Sequence, residues 1–64
     1  MVGNRIAEFR KEKGWTQKDL AEAARLSRGY IAAIEEGNQK PKIKTVVMIA
    51  GALGVEVKEL YDDK

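Results

Sequence analysis

The side chains of this 64-residue chain that could do chemistry are charged ones, because the commonest general bases and metal ligands are missing. The chain contains no cysteine, which excludes disulfides and thiolate zinc sites. It also contains no histidine, the commonest general base and transition-metal ligand. Asp62 and Asp63 offer a weak metal site, since adjacent acids near a chain end are usually solvated. We therefore expect no enzyme, no metal, no cofactor and no small-molecule ligand.

The charges are distributed unevenly along the chain. Residues 1–44 carry ten Lys/Arg and six Asp/Glu, a balance of +4, whereas residues 45–64 carry two and four, a balance of −2. A positive body with a negative end is typical of a protein that binds a polyanion with the negative end facing away. Solvated surface charge gives the same distribution, so nucleic-acid binding and simple solubility both remain open.

The length predicts one domain over residues 1–64, with a core just large enough to stabilise it. No apolar run approaches the roughly 18 residues of a membrane span, and no signal-peptide pattern opens the chain. A soluble, cytoplasmic protein without membrane contact is the expectation.

The elements that must position the charged side chains are short helices. Three apolar residues share one face of a first helix that ends at a glycine: Val2, Ile6 and Phe9, followed by Gly14. Thr16 has the position of an N-cap, and Asp19 follows three residues later in a capping-box role. The second helix is expected to end near Ala24.

Three further helices complete an all-α domain of five helices. Ser27 is the expected N-cap of the third helix, and Gly37 ends it. Residues 38–42 form a loop, because Pro41 disfavours helical geometry at the residue before it. The fourth helix ends at Gly54 and is expected to bury a face of Ile43, Val46, Val47, Ala50 and Leu53. The fifth carries Val57, Leu60 and Tyr61.

The second and third helices, around residues 17–36, have the proportions of a helix-turn-helix. Their connection is so short that the helices must cross steeply, and small residues at the crossing let the backbones approach. Ala21 and Ala24 supply the inward face of one helix, opposite Ile31 and Ile34 of the other. A second helix presented in this way fits the DNA major groove, which is roughly 12 Å wide.

One further pattern spans most of the chain, from about residue 4 to 61. It consists of Trp15-Thr16-Gln17-Lys18-Asp19-Leu20-Ala21, Leu26-Ser27-Arg28, Tyr30-Ile31, Ile34-Glu35, Gly37, Pro41, Ile49-Ala50, Ala52-Leu53-Gly54-Val55 and Glu59-Leu60. In these residues the chain resembles the Cro/repressor (XRE) helix-turn-helix family. The resemblance implies a compact lambda-repressor-like fold that binds double-stranded DNA.

The resemblance also implies a role for individual residues. The third helix would read bases with Arg28, Gly29, Ala32 and Ala33, and the guanidinium of Arg28 can bond bidentately to guanine. Phosphates would be bound by Thr16, Gln17, Tyr30, Asn38, Lys40, Lys42 and Lys44. Without the resemblance, solvated charge is the favoured interpretation of Arg28 and of the three lysines, whereas Tyr30 is as consistent with packing as with a phosphate contact. Trp15 is interpreted as structural.

Three positions depart from the family pattern. Arg25 stands where the turn usually has glycine, and a side chain on a left-handed residue there costs about 1 kcal/mol. Glu36 places an acid where neutral or basic residues commonly approach a phosphate, and Lys42 replaces the usual Ser/Thr cap of the fourth helix.

The family pairs Arg10 with Glu35 in an internal salt bridge, which assigns Arg10 to structure rather than to DNA.

The C-terminal end of the domain is expected to form a homodimer. The predicted seam consists of Met48, Gly51, Val57 and Tyr61.

The sequence is consistent with two functions. The first is a transcriptional regulator, a small repressor that binds an inverted-repeat operator as a dimer through the major groove. The alternative is a protein-interaction module, antitoxin-like or an assembly partner, which the small apolar groove face and Glu36 favour.

Overall fold

The computed structural model describes residues 2–61, and the side chains of residues 3–61. It contains five helices, α1 (Val2–Glu12), α2 (Gln17–Ala24), α3 (Arg28–Glu36), α4 (Ile43–Leu53) and α5 (Val57–Leu60). None of residues 2–61 forms a strand, so the predicted all-α fold is confirmed. The expected burial of Val2 and the pair Asp62–Asp63 lie outside the described side chains.

Two predicted caps begin the helices that matter for function. The Thr16 hydroxyl oxygen accepts from the Asp19 backbone N–H at 3.1 Å, and the Asp19 carboxylate accepts from the Thr16 N–H at 2.9 Å. The Ser27 hydroxyl oxygen accepts from the Tyr30 N–H at 3.0 Å. Each bond satisfies an N–H group that has no partner within its own helix. Both caps are confirmed, and they fix the starts of α2 and α3.

The turn between α2 and α3 contains the only residue among those described, glycine apart, with a positive φ. Arg25 has φ 62° and ψ 41°, in the left-handed region. The Leu26 N–H, one residue further, donates to the Ala21 carbonyl at 2.8 Å and closes the end of α2. The chain thus keeps a tight turn at this point, at the cost of placing a side chain where glycine is favoured.

The core lies where all five helices meet. Each helix contributes at least one fully or almost fully buried side chain, and the largest are Ile6, Leu20, Ile31, Ile34, Val46, Ile49 and Leu60. Phe9, Trp15 and Leu26 are half-buried against this core. The core therefore fixes the inner faces of α2 and α3 and leaves their outer faces free.

The predicted buried face of α4 was wrong at two of its five positions. Ile43 is 61% exposed and Val47 is 51% exposed, whereas Ile49 is fully buried with Val46, Ala50 and Leu53. Residues 45–53 carry no charge, so the sequence pattern offered two apolar faces and did not decide between them. Packing against α2 and α5 selects the face that contains Ile49.

Two structural features are absent over residues 2–61. No helix in this range is both long and apolar enough to span a bilayer. The range also contains no group of three or more acidic side chains arranged to hold a metal ion.

Candidate nucleic-acid interface

The helix pair α2–α3 is held together by small residues. Ala21 and Ala24 are 2% and 4% exposed, and they pack in the same core as Ile31 and Ile34 of α3. Three residues, 25–27, connect the two helices. With so short a connection, α3 lies across α2 and turns its other face outward, which is the geometry of a helix-turn-helix.

A buried ion pair fixes α3 to α1. The Arg10 guanidinium donates to both Glu35 carboxylate oxygens, from Nε at 2.7 Å and from Nη2 at 3.0 Å. Its Nη1 donates to the Trp15 carbonyl at 2.7 Å, so one side chain joins α1, the loop before α2, and α3. The expected internal pair is confirmed. The hydrogen bonds to Glu35 raise the pKa of Arg10 above its ordinary value, so its charge is permanent.

Gln17 joins the same network from the first position of α2. Its amide nitrogen donates to Glu35 Oε1 at 3.0 Å, and its side chain is half-buried. An amide nitrogen carries two hydrogens, so the second one can still donate to a phosphate. Sequence reasoning missed this bond, because Gln17 and Glu35 lie 18 positions apart on different helices and no local pattern pairs them.

The outer face of α3 is formed by the four residues expected to read bases. Arg28 and Gly29 are exposed, while Ala32 and Ala33 are half-buried. A Cβ added to Gly29 would meet nothing within 4 Å, so this glycine leaves open space in front of the helix. Among these four, only Arg28 has a side chain that can hydrogen-bond a base edge. The structure therefore brings the four together on one face of α3, on which Arg28 is the only polar side chain among them.

An acid completes this outer face at the far end of α3. Glu36 is exposed, and its carboxylate accepts a bond of 3.3 Å from the Asn38 amide. Glu35 is neutralised by Arg10, whereas the described residues provide no cation within salt-bridge distance of Glu36. The face thus runs from a positive N-terminal end at Arg28 to a negative C-terminal end.

The residues expected to bind phosphate lie in two places. Thr16 and Gln17 are at the N-terminus of α2, where backbone N–H groups and the helix dipole favour an anion. The loop after α3 and the first turn of α4 contribute four exposed side chains, Asn38, Lys40, Lys42 and Lys44. Tyr30 is half-buried against the core, so part of its ring packs. Lys42 makes no side-chain cap bond to α4, as predicted.

The sequence profile described as "Helix-turn-helix" matches residues 6–60 of the chain. The chain belongs to this helix-turn-helix family. The XRE resemblance seen in the sequence is thereby confirmed.

Two regulators have sequences similar to that of this chain. The immunity repressor protein of Bacillus phage phi105 is 44% identical over 63 residues, which cover 98% of this chain and 44% of that protein. The HTH-type transcriptional regulator SinR of Bacillus subtilis is 38% identical over 65 residues, covering 100% of this chain and 59% of SinR. The chain thus spans about half the length of these relatives.

Solved structures show the same fold. The crystal structure of SinR in complex with DNA matches with a TM-score of 0.91 and 38% identity, over 97% of this chain and 100% of that one. The restriction-modification controller protein C.AhdI from Aeromonas hydrophila matches with a TM-score of 0.89 and 34% identity, over 92% and 89% of the two chains.

Proposed function

We propose that this helix-turn-helix domain is a sequence-specific DNA-binding transcriptional regulator, a small repressor that places α3 in the major groove. The observation that carries the proposal is the outer face of α3. Arg28 and Gly29 on this face are exposed and Ala32 and Ala33 half-buried, none of the four belongs to the core, and a single arginine lies at the N-terminal end. A relative named as a repressor and the DNA complex of SinR support the same function.

Base recognition in this proposal is sparse. Arg28 bonds to guanine O6 and N7, and the methyl group of Ala33 contacts a thymine methyl. Gly29 and Ala32 form no hydrogen bonds, but their small size lets the α3 backbone approach the bases closely. Specificity then depends on few direct contacts and partly on the shape of the DNA.

Phosphate contacts position α3 in the groove. Thr16 and Gln17 bind one phosphate at the N-terminus of α2, where Gln17 is already oriented by Glu35. Tyr30, Asn38 and the three lysines at positions 40, 42 and 44 bind the backbone on the other side of α3. The Glu35 carboxylate accepts hydrogen bonds from both Gln17 and Arg10. The same side chain therefore orients the phosphate-binding amide and attaches α3 to α1.

The proposal includes a homodimer on an inverted repeat. Two copies of α3 would then enter major grooves about one turn, or 34 Å, apart. Of the predicted seam, Met48 and Gly51 are exposed on α4 and Tyr61 is 49% exposed, while Val57 is half-buried against the core. Such a dimer represses transcription by occupying DNA that overlaps a promoter. The proposed location of the protein is the cytoplasm.

The experiment that tests this function is a selection from random duplex DNA at near-physiological salt. An enriched inverted repeat supports specific binding as a dimer. Arg28→Ala should then cost about 1–3 kcal/mol and relax the preference at one base pair. Lys11→Ala is the matched control, because it removes one exposed cation from α1 and leaves the side chains of α3 unchanged. An equal loss on all sequences would make Arg28 a phosphate contact.

The second candidate function is a protein-interaction module. The observation that favours it is Glu36, an acid on a face whose other residues, apart from Arg28, are glycine and alanine. Such a face suits an apolar groove in a protein as well as DNA. If the selection enriches no sequence and the remaining binding disappears at moderate salt, this second function replaces the first.

A further inference from the structure

The turn between α2 and α3 carries a charged side chain to which the proposed function gives no role. Arg25 is exposed, and its φ of 62° and ψ of 41° lie in the left-handed region. Glycine adopts this conformation at no steric cost, and asparagine and aspartate adopt it more readily than arginine does. The turn by itself would therefore be more stable with another residue at position 25. A residue that the backbone disfavours indicates a benefit gained elsewhere.

The fold gives Arg25 no ionic partner. Glu22, the nearest acid along the chain, lies on α2 three positions earlier, but its carboxylate is not within salt-bridge distance. No other carboxylate among residues 3–61 is within that distance of Arg25 either. Within the same range the guanidinium also donates no hydrogen bond. Its N–H groups therefore remain available to an acceptor outside the domain.

The four arginines of the chain divide into two pairs. Arg5 and Arg10, on α1, each form an ion pair with an acid of the domain. Arg25 and Arg28 form none with the described side chains, and they stand three positions apart at the start of α3. Residues 23–34 contain no acid, and the N-terminal end of the α3 dipole is itself positive. Uncompensated positive charge thus collects at one end of α3.

This end of α3 is the one that enters the major groove in the proposed function, since the N-terminal residues of a recognition helix contact the base edges. Three residues of chain extend at most about 11 Å, so the Cα atoms of Arg25 and Arg28 are no further apart than that. The major groove is roughly 12 Å wide. A long side chain that starts within this distance of a base-reading residue can reach the phosphates that border the groove. A guanidinium suits a phosphate there, because it can donate two parallel hydrogen bonds and keeps its charge.

We propose that Arg25 is a further DNA contact, a turn residue whose guanidinium binds a phosphate at the border of the major groove beside the N-terminus of α3. This inference rests on the proposed function and adds a contact to it. Arg28 reads a base, whereas Arg25 supplies attraction that does not depend on sequence. The disfavoured backbone conformation of Arg25 is then compensated in the DNA complex rather than in the free domain.

The test is the salt dependence of binding to duplex DNA. Each phosphate that a cation neutralises contributes about 0.9 to the slope of log K against log[salt]. Arg25→Gln keeps a long side chain on the left-handed residue but removes its charge, so the slope should become shallower by about 0.9. Its affinity should be about eightfold below that of the parent protein at 0.1 M salt and almost equal to it near 1 M. The loss should be the same on the duplex enriched by selection and on an unrelated duplex of equal length.

Three variants separate the charge of Arg25 from its backbone. Lys11→Gln is the matched control, because it makes the same change in net charge at an exposed position of α1, and it should change the slope by less than half as much. Arg25→Lys keeps the charge and should keep the slope. Arg25→Gly should unfold at a higher urea concentration than the parent protein and yet bind DNA as weakly as Arg25→Gln, because glycine relieves the positive φ but offers no cation. A purely structural role would not produce these opposite effects.

Three outcomes would overturn the proposal. If the parent protein binds DNA and Arg25→Gln changes the slope no more than Lys11→Gln does, Arg25 contacts no phosphate and the proposed function stands. If Arg25→Gln loses more affinity on the enriched duplex than on the unrelated one, Arg25 reads a base instead. If the parent protein binds neither duplex at any salt concentration, the proposed function fails and the role of Arg25 fails with it.

Discussion

The ion pair between Arg10 and Glu35 leads to a quantitative prediction. The side chains are 10% and 7% exposed, so little water is available to compensate either charge. Glu35→Gln keeps the size of the side chain and one acceptor oxygen, but removes the negative charge. Arg10 then remains buried and charged, because a guanidinium does not lose its proton in a protein even without an acidic partner.

The size of the effect follows from burial. Removing one partner of a buried ion pair typically costs about 3–5 kcal/mol. Because Gln still accepts one bond from Arg10, we expect a loss of about 3 kcal/mol in the free energy of unfolding. A domain of this length has only about 3–10 kcal/mol in total. Glu35→Gln should therefore leave the domain marginally folded at room temperature.

The assay is urea unfolding followed by circular dichroism. Glu12→Gln is the matched control, because it makes the same chemical change at an exposed position and should shift stability by less than about 0.5 kcal/mol. Adding Arg10→Met to Glu35→Gln removes the uncompensated charge and should recover part of the loss. A loss no larger than that of Glu12→Gln would refute the reasoning, since it would mean that water screens the pair.

Three further predictions concern the backbone and a cap. The hydrogen bond from the Thr16 N–H lowers the pKa of Asp19 below its ordinary 3.8, so ionised Asp19 stabilises the fold above that pH. Asp19→Asn should therefore lower the free energy of unfolding at neutral pH. In urea unfolding at decreasing pH, the difference in stability between the variant and the parent protein should vanish as Asp19 is protonated. Arg25→Gly should raise the unfolding free energy by about 0.5–1 kcal/mol, because φ is 62°. Gly3→Ala should lower the melting temperature, because its Cβ would overlap the Ile34 carbonyl oxygen.

The limits of α2 and α3 could be predicted from the sequence because their signals are local. Thr16 and Asp19 exchange two hydrogen bonds across three residues, and Ser27 bonds Tyr30 across the same distance. Such bonds depend on residue type and spacing alone. The helix-turn-helix could be predicted for the same reason.

The candidate interface was predictable only in part. The exposure of Arg28 and Gly29 follows from their positions in the first turn of α3, on the side opposite the core. The bond from Gln17 to Glu35 did not follow, because it joins two helices whose relative orientation is set by the whole core. Because of that bond, the Gln17 amide is already oriented before it contacts a phosphate.

The sequence by itself determined the number of helices, the starts of α2 and α3 and the helix-turn-helix that these two form, since their caps are bonds between residues three positions apart. Only the tertiary structure decided which face of α4 is buried. The uncharged run of residues 45–53 is compatible with either face, and the packing of α2 and α5 against Ile49 left Ile43 and Val47 in solvent. A helix that is apolar on all sides takes its orientation from its neighbours, because burial of either face removes similar apolar area from water.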